Sequence, residues 1–196
     1  PSEVPASLIL RGVLADLNEA PWNSTHYRNQ FSCVNYNYYG TNEYWTNASF
    51  NYLTLKNVLK MEEIALKSGA VNPYGALGKF FKALFFVRMT QRVGDIPLDE
   101  ALKGLESQKP TYNTQKEVYL YVLQQLDEAN SDLKTLIAAN DLSLSGDFYF
   151  NNNLSKWQKV VNTFKLRVLI SLSKRESDPE LQVKARFAAV VNDPVQ

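Results

Sequence analysis

The sequence contains almost no cysteine or histidine. Its 196 residues include a single cysteine, Cys33, and a single histidine, His26. One cysteine cannot form a disulfide within the chain, and one cysteine with one histidine cannot supply the set of ligands that a zinc site needs. A catalytic nucleophile also needs a neighbouring base, and no known catalytic motif surrounds His26. We therefore expect neither a metal nor another cofactor.

The sequence also lacks an excess of either charge and any long apolar run. Its 21 basic and 20 acidic side chains give a net charge of +1, so nucleic acid is not an expected partner. No apolar run approaches the roughly 18 residues needed to cross a bilayer. The amino terminus lacks the basic and apolar regions of a signal peptide, which leaves open a cytosolic protein and one whose export signal has been removed.

Pairs of adjacent acidic residues are the remaining candidates for acid–base chemistry. The pairs are Glu62-Glu63, Asp99-Glu100 and Asp127-Glu128. Neighbouring residues on a helix point about 100° apart, so the two carboxylates of a pair cannot flank one bond. We interpret them as solvated surface residues and expect no enzyme activity.

What the sequence has in excess is aromatic residues, and they are concentrated near the amino terminus. Ten lie within the 31 residues from Trp22 to Tyr52, and the stretch from Asn29 onward holds six asparagines and one charged residue, Glu43. Aromatic rings can stack on the apolar face of a neutral ligand while amides hydrogen-bond to its rim, a combination that suits sugars. We therefore predict that this aromatic-rich loop binds a ligand, with contacts from Trp22, Tyr36, Asn37, Tyr38 and Tyr39.

The same aromatic residues also have a purely structural interpretation. A long irregular loop needs side chains that anchor it to the helices, and Trp45, Phe50 and Tyr52, where the chain enters a predicted helix, fit that role best. In an extended segment Tyr36 and Tyr38 would share one side and Tyr39 would lie opposite, so the two sets could not face one ligand. Ligand contact and anchoring therefore both remain open for the loop.

Outside this loop, apolar residues recur at helical spacing. Helices are predicted near residues 5–19, 48–67, 73–92, 114–138, 155–175 and 179–191. Their starts are marked by Asn72-Pro73, by capping boxes from Thr114 to Glu117 and from Ser155 to Gln158, and by Asp178-Pro179. Only residues 147–150 are compatible with a short extended piece. The predicted class is all-α, with helical pairs forming a bundle or a degenerate TPR-like solenoid, because no strict repeat of roughly 34 residues is visible.

The helix predicted near residues 155–175 carries both an apolar stripe and several cations. Trp157 and Phe164 fall on the stripe, so we expect both in the core. The cations do not form a stripe of their own in this interpretation and are assigned to a solvated surface; they are Lys156, Lys159, Lys165, Arg167, Lys174 and Arg175.

Four groups of residues follow one another in a recognisable order. They are Trp45 with Tyr52-Leu53, Gly94-Asp95-Ile96-Pro97 with Glu100-Ala101, Lys109 to Gln115 with Val118-Tyr119, and Gly146-Asp147 with Lys156-Trp157 and Lys165-Leu166-Arg167. In this order they resemble the SusD/RagB family of SusD-like, outer-membrane nutrient-binding lipoproteins. The departures are Gln91, Val93 and Leu98, around the Gly-Asp-x-Pro turn. By their residue types alone, Gly94 ends a helix, Asp95 accepts backbone hydrogen bonds and Pro97 prevents the helix from resuming.

The resemblance implies a function that the residues alone do not establish. It implies non-catalytic binding of glycans or oligosaccharides on the external face of the outer membrane, and their delivery to a SusC-like TonB-dependent transporter. The full-length protein would be held by a lipid anchor absent from this chain. Residues 1–196 would form a single α-helical domain, the amino-terminal part of a longer SusD-like protein. The alternative is a helical protein–protein interaction module with no small-molecule site.

Overall fold

The computed structural model describes residues 4–18 and 50–193. Within these residues there are six α-helices and two short 3-10 helices, and the only extended pairing is an isolated antiparallel bridge between Ile96 and Asn113. The α-helices are α1 (Ala6–Ala15), α2 (Tyr52–Leu66), α3 (Pro73–Val93), α4 (Gln115–Ala138), α5 (Leu154–Ser171) and α6 (Val183–Val191). The 3-10 helices are Gly104–Glu106 and Ser173–Arg175. The all-α class is confirmed.

The helices are arranged in chain order. Each packs chiefly against the helices that precede and follow it, and α3 with α4 forms the most extensive pair. This sequential packing of antiparallel pairs is typical of TPR-like solenoids. The central helix is α3, because 13 of its 21 residues are buried.

Two of the predicted helix starts are confirmed by their caps. The Asn72 side chain accepts a hydrogen bond from the Gly75 backbone N–H at 3.0 Å, ahead of Pro73 at the first helical position. At α4, Glu117 N–H donates to Thr114 Oγ1 at 3.3 Å and Thr114 N–H donates to Glu117 Oε2 at 2.7 Å. These reciprocal bonds satisfy backbone donors that the first turn of a helix leaves free.

The other two predicted caps were wrong. At α5 the cap is Asn153, whose side chain accepts from Lys156 N–H at 3.0 Å, so the helix begins one residue before Ser155. The last helix begins at Val183 rather than at Asp178-Pro179, because Gln182 has a φ of 47° and interrupts the helical path. Asp178 instead accepts from the Glu180 backbone N–H at 3.1 Å, closing a local turn.

The residues predicted as a short extended piece form a turn around a buried carboxylate. Asp147 is 4% exposed. Its Oδ1 accepts from the backbone N–H groups of Tyr149 and Phe150, and its Oδ2 accepts from Asn152 N–H and from Trp157 Nε1–H at 2.9 Å. The prediction of extended structure was wrong because the carboxylate, with four donors around it, draws the chain into a turn.

The apolar stripe of α5 lies in an aromatic cluster. Trp157 is 2% exposed, and its ring lies 5.9 Å from the rings of both Phe80 and Phe81. Phe164 packs edge-to-face against Phe80 at 5.8 Å but is only partly buried. The core assignment is therefore confirmed for Trp157 and holds only in part for Phe164.

The Gly-Asp-x-Pro turn is structural, as its residue types predicted. Gly94 ends α3 with a φ of 81°. Asp95 Oδ1 accepts from the Gln115 backbone N–H at 2.9 Å, which fixes the turn to the start of α4. Tyr52 Oη–H donates to the Pro97 carbonyl at 2.8 Å, which fixes it to α2.

Candidate functional site

The predicted ligand contacts lie outside the described residues. Trp22, Tyr36, Asn37, Tyr38 and Tyr39 all fall between the two described ranges. The choice between ligand contact and anchoring therefore stays a prediction for each of them.

Tyr52, at the carboxyl-terminal end of the aromatic-rich stretch, has the anchoring role expected of it. Its ring makes an edge-to-face contact with Phe86 at 6.4 Å and a tilted contact with Phe50 at 6.0 Å. Burial, with a smaller contribution from Tyr112, raises the pKa of Tyr52 to about 12. The phenol is thus neutral at physiological pH and serves as a hydrogen-bond donor to the scaffold.

A pocket of about 430 Å³ lies between α2, α3 and α4. Among the residues that line this interhelical pocket are Glu62, Leu66, Val71, Lys79, Lys82 and Asp132. Lys82 Nζ lies 2.9 Å from Glu62 Oε1, and Lys79 Nζ lies 2.8 Å from Asp132 Oδ2. Each charged group of the lining already has an opposite charge beside it, so the pocket offers an apolar wall and neutralised ion pairs.

Glu62 contradicts the interpretation of the acidic pairs as solvated residues. Its side chain is largely buried, and burial raises its pKa, an effect that the ion pair with Lys82 opposes. Gly78 makes the position possible, because a Cβ there would lie 2.3 Å from Glu62 Cγ. A perturbed carboxyl group in a pocket can mark an acid–base site. Here its nearest charged partner is a lysine at ion-pair distance, which indicates a structural role.

An acidic groove of about 470 Å³ lies along α4 between Glu117 and Glu128. It is bordered by Asp99, Asn113, Glu117, Tyr121, Asp127 and Glu128, among others. Its carboxylates are engaged in the fold: Asp127 pairs with Lys165 and with Arg186, Asp99 accepts from the Asn113 side chain at 2.7 Å, and Glu117 completes the cap of α4. In the part of the chain that the structure describes, no group of histidine, cysteine or acidic side chains could hold a metal ion.

Lys165 was wrongly assigned to a solvated surface. It is 7% exposed and reaches Asp127 on α4. A buried lysine needs such a partner, since an unpaired charge in the interior is strongly destabilising.

A second correction concerns the other cations of α5. Lys156, Lys159 and Arg167 border one open groove of about 470 Å³, which we call the basic groove. Its other lining residues are Phe150, Val160, Thr163 and Phe164. The spacing 156, 159, 163 and 167 follows one side of a helix, so the sequence carried a signal for this stripe that the interpretation as a scattered surface missed.

The comparisons with known proteins agree on one family. The model of a SusD-like family, described as starch-binding and associating with the outer membrane, matches residues 13–196. No protein of curated function matches the chain. Among the described helices, none is long and apolar enough to cross a membrane.

Solved structures give the same result. The chain is 33% identical to a Bacteroides vulgatus outer-membrane protein assigned to nutrient binding, with a TM-score of 0.79 over 97% of this chain and 41% of that one. It is 32% identical to a SusD homologue from Bacteroides fragilis, with the same TM-score and coverage. A chitin-binding SusD homologue from Flavobacterium johnsoniae is 26% identical, with a TM-score of 0.60 over 71% of this chain and 29% of that one. The chain thus spans about two fifths of the length of the first two relatives.

Proposed function

Because the chain belongs to the SusD-like family of starch-binding proteins that associate with the outer membrane, we propose that it binds oligosaccharides without altering them chemically. The proposed contact surface is the aromatic-rich loop, with Trp22, Tyr36, Asn37, Tyr38 and Tyr39 as the ligand contacts. The helices described above act as the rigid support of that loop.

The strongest support is the composition of the loop. The stretch from Trp22 to Tyr52 combines ten aromatic residues with seven asparagines and only two charged residues, which suits the apolar faces and hydroxyl rims of neutral sugars. The chitin-binding name of one solved relative and the starch-binding description of the family model point to the same class of ligand.

A binding role without catalysis is supported by how the ionisable groups of the described residues are used. Glu62, Asp127 and Asp132 are each paired with a lysine, and Glu117 caps a helix. Each of these carboxylates thus has a structural partner in the fold, which supports a binding role rather than glycoside hydrolysis.

The proposal extends to the cellular setting. By analogy with the family, the full-length protein acts on the external face of the outer membrane, held by a lipid anchor, and passes oligosaccharide to a SusC-like TonB-dependent transporter. The family description supports association with the outer membrane. A pull-down of the transporter with the native protein from outer-membrane extracts tests the partnership.

A double substitution in the loop tests the ligand site. Tyr36→Ala with Tyr38→Ala should weaken binding of maltohexaose or chitohexaose by about 5- to 150-fold, because each aromatic contact contributes roughly 0.5–1.5 kcal/mol beyond area burial. Isothermal titration calorimetry measures the affinity and thermal unfolding measures stability. The matched control is Tyr112→Ala with Phe148→Ala, since these aromatics are exposed elsewhere on the surface.

Two outcomes of this experiment contradict the proposal. If the loop variant melts well below the wild type but binds sugar normally, the tyrosines are anchors. If neither the wild type nor the variants bind any oligosaccharide, the helical interaction module becomes the better account of the chain.

A further inference from the structure

The basic groove has a regular arrangement of charge along α5. Lys156, Lys159 and Arg167 are exposed and stand at spacings of three and eight residues. At 1.5 Å of rise per residue, the first and last of these cations are separated by about 16 Å along the helix axis. This length corresponds to a few sugar units rather than to a single small ion.

These cations differ from the other charged residues of the same helix. Lys165 pairs with Asp127, whereas Lys156, Lys159 and Arg167 form no ion pair within the described residues, and no carboxylate lines the groove. Ion pairing is common elsewhere in the described residues, where it involves Lys60, Lys79, Lys82, Lys116, Lys134, Lys184 and Arg186. In a chain with a net charge of only +1, the basic groove is thus a local concentration of positive charge that an anion would neutralise.

The floor of the groove is apolar and firmly held. Phe150 and Phe164 are half-buried, and each makes an edge-to-face contact with a core ring, Phe150 with Trp157 at 5.1 Å and Phe164 with Phe80 at 5.8 Å. Val160 completes the floor. Phenylalanine rings fixed in this way offer apolar surface to the C–H face of a sugar ring.

The size of the groove favours a small ligand over a protein partner. Its volume of about 470 Å³ lies within the range of roughly 300–1,000 Å³ that is usual for small-molecule sites. A stable protein interface needs about 800 Å² from each partner, well beyond a groove confined to one side of one helix and the turn before it.

We propose that the basic groove binds an oligosaccharide that carries acidic sugars, with its carboxylates or sulfates on Lys156, Lys159 and Arg167 and a sugar face on the phenylalanine floor. This inference rests on the proposed function only in taking the ligand to be an oligosaccharide. The site is separate from the aromatic-rich loop, and the arginine supplies the planar fork that matches a carboxylate or a sulfate.

Calorimetric titrations test the proposal with two acidic oligosaccharides, tetragalacturonate and a chondroitin sulfate tetrasaccharide. Maltotetraose is the neutral comparison, and pentaglutamate is an anion that is not a sugar. The groove variant is Lys156→Gln with Lys159→Gln and Arg167→Gln. The matched control is Lys56→Gln with Lys103→Gln and Lys109→Gln, which removes the same charge from exposed positions outside the groove. Phe164→Leu removes the ring but keeps an apolar side chain.

We expect at least one acidic oligosaccharide to bind, and the groove variant to bind it about tenfold more weakly while the control variant binds it normally. Raising the salt from about 0.05 M to about 0.5 M should weaken the binding, because the rim cations are exposed to solvent. Phe164→Leu should weaken it at unchanged salt dependence.

Each failure of the experiment has a distinct meaning. If neither acidic probe binds, or if the control variant loses as much affinity as the groove variant, the proposal is overturned. Equal binding of pentaglutamate overturns the sugar part of it. If Tyr36→Ala with Tyr38→Ala abolishes binding of acidic and neutral probes alike, the groove is not a site and the loop is. If only the neutral probe fails to bind, the loop proposal fails and the groove proposal stands.

Discussion

Asp147 allows the sharpest test of how the turn before α5 is held. Its two carboxylate oxygens accept hydrogen bonds from three backbone N–H groups and from Trp157 Nε1–H. Asp147→Asn keeps the size and shape of the side chain but replaces one acceptor oxygen with an NH₂ group, which can only donate. In either orientation of the amide, two of the four N–H groups then face a donor.

The magnitude follows from the number of bonds and from their burial. A hydrogen bond to a charged acceptor contributes about 1.5–3 kcal/mol, and a buried donor without an acceptor is penalised further. Loss of two such bonds at a side chain that is 4% exposed should therefore lower the free energy of unfolding by about 3–6 kcal/mol. For a chain of this length, that corresponds to a decrease in Tm of roughly 6–24 °C.

Urea unfolding and calorimetry of the wild type, Asp147→Asn and Asp141→Asn form the assay. Asp141 is the control because it lies in the same loop but accepts only from the backbone N–H and hydroxyl of Ser143, both at exposed positions. We expect the control to lose about 1 kcal/mol or less. A Tm for Asp147→Asn within about 3 °C of the wild type would refute the reasoning, because it would mean that the four bonds contribute almost nothing.

Two further predictions concern α5, and both are measured by thermal unfolding. Trp157→Ala should lower the free energy of unfolding by about 3–5 kcal/mol, whereas Phe164→Ala should lower it by only about 1–2 kcal/mol because its side chain is only partly buried. Equal losses would contradict the difference in burial. Asn153→Ala should destabilise the protein by about 1 kcal/mol through loss of the cap, and Ser155→Ala should have no comparable effect; the reverse order would restore Ser155 as the cap.

The helices were predictable because their signals are local. Asn72-Pro73 and the Thr114 to Glu117 box act within a single turn, and the apolar stripes that follow repeat over many residues. The start of α5 was misplaced because Asn153 and Ser155 are both good caps, and only the turn around Asp147 decides between them. Sequence patterns therefore locate a helix well and its first residue less well.

Contacts between distant parts of the chain were not predictable in the same way. The burial of Lys165 depends on Asp127, 38 residues away, and the burial of Glu62 depends on the absence of a Cβ at Gly78. Neither partner can be chosen from the sequence without knowing how the helices pack. The residue type alone favoured a solvated lysine and a solvated glutamate, since such side chains are rarely buried unless paired.

Phe164 shows why the candidate sites were harder to predict than the fold. It continues the apolar stripe of Trp157 and Val161, which predicts the core, but it also stands between Val160 and Arg167, on the side that carries the basic groove. A residue at the border of two helix faces takes its environment from what packs against each face, and this ring packs against Phe80 in the core while it also lines the groove. The apolar stripe therefore predicted the contact of Phe164 with the core correctly, but it did not predict that the same side chain also lines the basic groove. Polar residues at three- and four-residue spacing beside such a border residue, three of them cations, are the sequence signal that distinguishes this case from an ordinary core position.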